Sequence, residues 1–318
     1  MENEYIDVDY LVLPKNTVLN NKYQIKNMIN KSNLSIVYLA INLESNTKVI
    51  IKEFYPVNQV LRDLDAKRVV CKNNLYKDKF SKEKSSFLGE AEVMKELEDD
   101  YIAKCYEYFK ENNTAYIVIE YYEGLTLDKY LEEKGDFDQF FKDIFSPLLT
   151  AINKIHQKNY IHRDIKPSNI IIYQDKPVLI DFGSAVNYKE NDVKKILLTP
   201  GFSPIEFYSE RSKQGPYSDI YSLSAILYYY FSNQIPDEAL DRIIEDDLEA
   251  VTTLNQDIPD SLNNIIMKNM SLDYKRRDKS ITIFKLKLWR LALSYKFKDI
   301  LTNRFGRIIS ENTYFYNR

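Results

Sequence analysis

His162-Arg163-Asp164-Ile165-Lys166-Pro167-Ser168-Asn169 is the stretch that decides the fold, and Asp181-Phe182-Gly183 follows it, with Asp181 twelve residues beyond Asn169. Between the two lie short β-branched runs, Ile170–Tyr173 and Val178–Ile180, which read as a small strand pair. A single Asp or Asn here would be an ordinary solvated turn residue; the two clusters together, at this spacing, are not explained that way. Moving outward, the pattern on the C-terminal side and just upstream is helical: Leu127–Lys134, Phe137–Gln157, Ile220–Phe231 and Leu262–Asn269. The N-terminal third is different. Apolar and β-branched runs split by Asn/Ser clusters (YQIKNMI, SIVYLAIN, TKVIIKEF, from Tyr23 to about Phe54) predict an antiparallel meander of three strands. Two more strand-like runs, Ala103–Phe109 and Ala115–Tyr121, follow a helix over Ser81–Leu97, in which Phe87, Ala91, Met94 and Leu97 fall at helical spacing. Residues 56–80 are polar and carry no clear period. The expectation is an α+β protein of two lobes with a cleft between them.

Composition excludes several classes. With 44 Lys+Arg against 47 Asp+Glu the net charge is −3, which argues against nucleic acid as the main partner. A hydrophobic fraction of 44% with 14% aromatics excludes a disordered chain. Two cysteines, Cys71 and Cys105, make no disulfide framework and point to a reducing compartment. The start, MENEYIDVDY, has neither a basic end nor an apolar run, and the longest nearly apolar stretch, Leu223–Phe231, is far short of the roughly 20 residues that span a bilayer. A cytoplasmic protein with no transmembrane segment is expected. Only 7 glycines occur, none before Gly89.

The HRDxKxxN and DFG patterns resemble the protein kinases, most closely the bacterial eukaryotic-like serine/threonine kinases, and the resemblance runs from about Tyr23 to about Leu293. It implies a bilobal, protein-kinase-like α+β fold, with a small β-rich N-lobe holding one main helix and a larger helical C-lobe. The expected division is a lead-in over 1–19, a kinase domain over 20–293 (N-lobe about 20–119, hinge about 120–124, C-lobe about 125–293) and a tail over 294–318. The implied activity is ATP-dependent phosphoryl transfer to Ser/Thr hydroxyls of protein substrates. Such transfer needs a group that orients the hydroxyl and metal ligands that neutralise the phosphate oxygens. Asp164 would accept the hydroxyl proton, Lys166 would contact the transferred phosphate, and Asn169 and Asp181 would hold Mg²⁺, with Mn²⁺ an acceptable substitute.

Upstream, Val49-Ile50-Ile51-Lys52 matches the family's third-strand lysine motif, so Lys52 would hold the α/β-phosphates. Its ionic partner should lie on the following helix. Glu90 shares a face with Phe87 and Met94, whereas Glu92, about 200° away, should face water. Ile119 would guard the pocket, and Glu120, Tyr121 and Tyr122 would meet adenine through their backbone, with Val37, Ile50 and Ile171 against the ring. Downstream, Thr199-Pro200-Gly201-Phe202-Ser203-Pro204-Ile205-Glu206 resembles the substrate-docking loop, Arg277 would pair with Glu206, and Asp219 would bind backbone near the catalytic loop. His156 reads as a satisfied core residue.

Two features depart from the family: Ile50 stands where Ala is usual above the adenine and would narrow the pocket, and the nucleotide loop lacks its glycines. Aligned on G-x-G-x-x-G-x-V, the nucleotide loop reads Asn30-Lys31-Ser32-Asn33-Leu34-Ser35-Ile36-Val37, with no glycine. Glycine admits positive φ and close approach of backbone N–H groups to phosphate; Asn30 and Ser32 would have to serve instead. A pseudokinase that binds nucleotide or partners without turnover is the alternative. The activation segment 187–198 (NYKENDVKKILL) contains no Ser or Thr, and Glu190 or Asp192 is expected to pair permanently with Arg163 in place of a phosphate.

Overall fold

Most left-handed backbone among the described residues is made by asparagine. A computed structural model describes residues 10–132, 137–190 and 196–293. Among these, 13 non-glycine residues have positive φ, and Asn16, Asn20, Asn21, Asn46, Asn112, Asn113, Asn159 and Asn233 are eight of them. Asn pays less than other residues for that conformation, so a glycine-poor, Asn-rich sequence can still turn tightly.

The chain divides into two compact units, Met1–Leu125 with Val178–Ala185, and Thr126–Pro177 with Val186–Arg318. The first is built on an antiparallel six-stranded sheet in the order β1-β2-β3-β4-β8-β7. Its strands are β1 (Val18–Leu19), β2 (Tyr23–Lys31), β3 (Ser35–Asn42), β4 (Thr47–Phe54), β7 (Cys105–Glu111) and β8 (Thr114–Glu120). The expected meander is β2–β4. Register puts Val37 opposite Lys52, Leu39 opposite Ile50, and Ile50 opposite Ile119, so Val37, Ile50, Lys52 and Ile119 share one half-buried face. The other face carries Ile36, Tyr38, Val49, Ile51, Glu53, Tyr116 and Val118, all buried.

A carboxylate on that buried face explains the stretch that the sequence pattern leaves blank. Residues 56–80 contain a hairpin, β5 (Val60–Arg62) with β6 (Val69–Cys71), and the start of helix α1 (Lys77–Glu96), four residues earlier than its periodicity suggests. Arg62 on β5 makes a bidentate pair with fully buried Glu53, 2.7 and 2.8 Å, and the Tyr38 and Tyr116 hydroxyls each donate to the same carboxylate at 2.9 Å. Every oxygen of Glu53 is thereby satisfied, as burial of a charge demands. Arg62 also donates to the Leu11 carbonyl (2.7 Å), and Leu13 N–H donates to Tyr38 Oη (3.1 Å), so the lead-in from Tyr10 onward is tied to the sheet. Phe54 packs its ring on Phe80 and Phe87 of α1, at centroid distances of 5.2 and 5.5 Å.

The second unit is helical. β9 (Leu125–Thr126) leads into α2 (Leu127–Glu132); α3 (Phe137–Gln139) passes through a π-helical turn (Phe140–Phe145) into α4 (Ser146–Gln157). Short strands β10 (Tyr160–Ile161) and β13 (Val186–Asn187) pair antiparallel, with β11 (Ile170–Tyr173) and β12 (Lys176–Leu179) between them in sequence. α5 (Pro216–Ser232) is buried on nearly every side, which makes it the unit's central helix. Around it follow α6 (Asp241–Ile244), α7 (Val251–Leu254), α8 (Asp260–Asn269) and a last helix over 281–293 that the periodicity did not suggest. Phe140 stacks on Tyr230 (4.4 Å), Phe137 meets Phe231 (4.8 Å), and Phe141 meets Trp289 edge-on (5.5 Å), an aromatic cluster that fixes the π-helical turn against α5.

Candidate active site

In the first unit, three charges meet. Lys52 Nζ donates to Glu90 Oε1 (2.8 Å) and Oε2 (3.0 Å) and to Asp181 Oδ1 (2.8 Å). Side-chain exposure grades from 3% at Glu90 through 14% at Lys52 to 45% at Asp181, so the pair is dry at one end and open at the other. Burial disfavours the Lys52 ammonium, but the Asp181 and Glu90 carboxylates outweigh it and hold Lys52 above its ordinary range. Burial pushes Glu90 upward, opposed by Lys52. Both partners are thus drawn toward their protonated forms, which is charged for Lys52 and neutral for Glu90; two short bonds from one ammonium, plus the Phe182 N–H on the same carboxylate, hold the charged pair. Gly183 sits against this trio: a Cβ there would come within 3.3 Å of Asp181 Oδ1 and Glu90 Oε2. Glu92, by contrast, lies at the surface near the Tyr108 hydroxyl.

The segment 30–37 joins β2 to β3, and none of its residues has positive φ. The geometry that would require glycine is absent. Instead the Ser32 hydroxyl accepts from the N–H groups of Leu34 (3.2 Å) and Ser35 (3.0 Å), and Ser32 N–H donates to the Ser35 carbonyl (2.8 Å). The expectation that Asn would serve here through left-handed backbone is therefore corrected: the turn is closed by a hydroxyl. Asn30 is exposed and its Oδ1 accepts from Lys31 N–H (2.8 Å). In the segment expected to meet adenine, Tyr122 Oη donates to Glu120 (3.0 Å) and accepts from Lys104 N–H (3.0 Å), while the Tyr122 carbonyl accepts from Gly124 N–H (3.0 Å).

In the second unit, Asp164 is the hub. Thr199 Oγ1 donates to its Oδ1 (2.8 Å), Lys166 Nζ lies 2.9 Å from its Oδ2, and Asn169 Nδ2 donates to Oδ2 (2.8 Å) and to the Asp164 carbonyl (2.9 Å). Lys166 also donates to Thr199 Oγ1 (3.0 Å), closing a ring of three side chains. The backbone beneath is strained at Arg163, φ +68°, and Asp219 holds it. Fully buried Asp219 accepts from His162 N–H (2.9 Å), Arg163 N–H (3.0 Å) and His156 Nε2 (2.8 Å). Burial would raise its carboxyl, but these donors win and lower it. Thr199 is set by Ser203, whose hydroxyl accepts Thr199 N–H (2.8 Å), and Ser222 on α5 donates to the Phe202 carbonyl (2.8 Å). Gly201 has φ +77° and a Cβ there would lie 2.5 Å from the Pro236 carbonyl, so only glycine fits. Arg277 donates to Glu206 at 2.7 and 3.1 Å, with Ser218 Oγ on the same carboxylate at 2.7 Å, all buried. Ile171 is half-buried on β11.

The sequence places Ser203 in the docking segment and Ser218 and Ser222 at the start of the buried helix but assigns none of them a role, because a lone serine carries no signal until its partner is known. Glu190 accepts from Asn187 Nδ2 (2.8 Å), not from Arg163, whose guanidinium stacks on Phe207 at 5.3 Å; Asp192 lies outside the described residues.

The model of the protein kinase domain matches residues 53–289. The chain belongs to the protein kinase family. This kinase domain is 30% identical over 236 residues to serine/threonine-protein kinase PknA of Nostoc sp., an alignment covering 70% of this chain and 39% of that one. It is 28% identical to serine/threonine-protein kinase PrkC of Bacillus subtilis, over 80% of this chain and 38% of that one. The chain thus spans less than two fifths of the length of these curated relatives. A solved structure described as the PpkA-294 apo form superposes with a TM-score of 0.75 at 30% identity, covering 87% of this chain and 99% of that one. The fold is that of a kinase domain. The family match begins at Glu53, so Lys52 and the glycine-free segment both lie ahead of it.

Protein kinases use ATP and a divalent metal. Among the described residues no group of three or more His, Cys, Asp or Glu side chains could hold a metal ion. A Mg²⁺-type cation at a nucleotide is carried largely by phosphates and water, with one or two protein oxygens. Taken separately, each unit offers one such oxygen: Asp181 in the first is half-exposed, and Asn169 in the second spends its amide N–H on Asp164, which leaves a carbonyl oxygen as its acceptor.

Proposed function

We propose that this chain transfers the γ-phosphoryl group of ATP to Ser or Thr hydroxyls of protein substrates. The observation that carries the proposal is the closed ring of Asp164, Lys166 and Thr199, with Asn169 bonded to the same carboxylate. In this reading Asp164 orients the acceptor hydroxyl and takes its proton as the hydroxyl oxygen bonds to the γ-phosphorus and the bridging P–O bond to ADP breaks. Lys166 balances charge on the transferred group. Lys52, fixed by Glu90, holds the α/β-phosphates, with Val37, Ile50, Glu120, Tyr122 and Ile171 around the base and ribose. Mg²⁺, held by Asn169 and Asp181, would neutralise the phosphate oxygens when bound.

The polar groups are bonded to one another within each unit, and that organisation favours turnover over a scaffold that merely binds. The domain division that fits this reading is 20–293, with a lead-in and a tail. Protein partners fit better than nucleic acid given the net charge of −3; among the described residues no helix is long and apolar enough to cross a membrane. The test is incubation with γ-labelled ATP, Mg²⁺ and mixed protein substrates, then phosphoamino-acid analysis. Label on Ser or Thr is expected; label on neither, with nucleotide still bound, would favour the pseudokinase.

A further inference from the structure

Five of the seven residues after Lys52 connect parts of the first unit that are remote in sequence. Glu53 anchors Arg62 of the hairpin, and Phe54 packs on α1. Tyr55 N–H and Val57 N–H donate to the Leu34 and Asn33 carbonyls (2.8 and 3.2 Å), which fastens the tip of the glycine-free segment. Gln59 then reaches α1: its Nε2 donates to Glu83 Oε2 at 2.7 Å.

Gln59 is an unusual choice for a merely structural position. It is 5% exposed, and its Oε1 is buried without a hydrogen-bond partner. Turning the amide over would satisfy nothing, because Oε1 would then face the Glu83 carboxylate. An apolar side chain would avoid the unpaired oxygen, so what the glutamine supplies is the donor placed at Glu83. Glu83 and Glu90 are seven residues apart on α1, two turns, and therefore on one face. A bond that fixes Glu83 fixes the rotation of the helix about its axis, and with it the aim of Glu90 at Lys52. The Gln59 carbonyl accepts Lys72 N–H (2.9 Å), which ties it to the end of the β5–β6 hairpin, and that hairpin is held in turn by Val69 N–H, which donates to the Asn112 carbonyl in the β7–β8 turn (2.8 Å).

We infer that Gln59 is a positioning residue, which through Glu83 sets the rotation of α1 and so assembles the Lys52–Glu90 pair, on the same short segment that fastens the nucleotide loop. The inference rests on the kinase reading only for its effect on turnover; the positioning itself is independent of it. Gln59→Glu sets two carboxylates against each other. Glu83→Gln in the same chain restores a donor–acceptor pair with its polarity reversed.

The first readout is amide hydrogen exchange on full-length protein, mapped by mass spectrometry to Phe182, whose N–H donates to Glu90, and it needs no activity. Withdrawing Glu90 frees that N–H, and a hydrogen bond worth about 1.4 kcal/mol corresponds to about tenfold in exchange. Gln59→Glu should therefore speed exchange at Phe182 about tenfold, and Gln59→Glu with Glu83→Gln should return the rate to within about threefold of the original. Phosphoryl transfer, read alongside, should fall and recover in the same order, in kcat more than in the KM for the protein substrate. Thermal melting identifies a variant that has failed to fold, and Gln59→Met, close in size without the donor, then takes its place with faster exchange expected. Unchanged exchange at Phe182 in a folded Gln59 variant overturns the inference. So does a double variant that folds but exchanges as fast as the single one. Exchange that behaves as expected in a protein that transfers no phosphate upholds the positioning and refutes the kinase reading instead.

Discussion

Replacing Ser32 by glycine should strengthen nucleotide binding and weaken the fold at once, and the two effects can be sized. Ser32 Oγ occupies the N–H groups of Leu34 and Ser35, donors that a glycine-rich loop would offer to phosphate. Ser32 is exposed, so water replaces the hydroxyl when it is removed; the loss is about 0.5–1 kcal/mol, plus about 0.5–1 kcal/mol for glycine's backbone freedom. Against phosphate, each freed N–H makes a charge-assisted bond worth about 1.5–3 kcal/mol, from which ordering one or two residues takes about 1–2 kcal/mol each. A net gain of about 1.4 kcal/mol, or tenfold in Kd, is the central expectation. Calorimetric titration with Mg·ATP reads it, and Ser32→Ala separates the causes: it frees the same donors without the added flexibility, so it should bind more tightly than the original. Weaker binding by Ser32→Gly would mean that the hydroxyl itself contacts phosphate. Unchanged binding by both variants would mean that Leu34 and Ser35 do not face phosphate at all.

Arg277→Met should leave Glu206 buried with only Ser218 for company and cost about 3–5 kcal/mol, seen as a lower denaturation midpoint; a loss under about 1 kcal/mol would show that the pair is not what holds the docking segment. Asp219 has a folded carboxyl value below its ordinary 3.8, so its stabilising effect is complete above that value and is lost as pH falls through the lower, folded one. Asp219→Asn should therefore flatten the acid limb of the stability profile below about pH 4, and an unchanged slope there would assign acid unfolding to other groups. Phosphatase treatment should leave activity intact, since 187–198 has no Ser or Thr; activity lost with phosphate from any residue between Ser184 and Leu198 would refute this.

What the sequence reveals and what it hides differ by the range of the interaction. Glu90 could be told from Glu92 because helical phase is local: Glu90 lies at 5% exposure and meets Lys52. The spacing of Asp164, Asn169 and Asp181 was equally legible, since it is written within twenty residues. The β5–β6 hairpin was not, because a short polar hairpin has no period, and its anchor is an ion pair between Arg62 and a buried Glu53 that a core-facing pattern would not admit. Helix α1 was placed late for a related reason: its first turn, from Lys77, is polar and follows a turn in which Asn73 Oδ1 accepts Leu75 N–H at 2.9 Å. The missing glycines are a departure that the sequence reading assigns to Asn30 and Ser32 to make good. They are the local expression of a chain that turns with Asn and Ser, and here Ser32 closes the turn at negative φ.

The central claim, that Asp164 is the group on which phosphoryl transfer depends, is tested most directly by Asp164→Asn, comparing initial rates of label transfer with the Kd for Mg·ATP in the same preparation. An amide keeps the shape and one acceptor for Thr199 but cannot take the hydroxyl proton, so transfer should fall by about 10²–10⁴-fold while nucleotide affinity stays within about twofold. Transfer at the original rate by Asp164→Asn, or loss of nucleotide binding in step with transfer, would contradict the account.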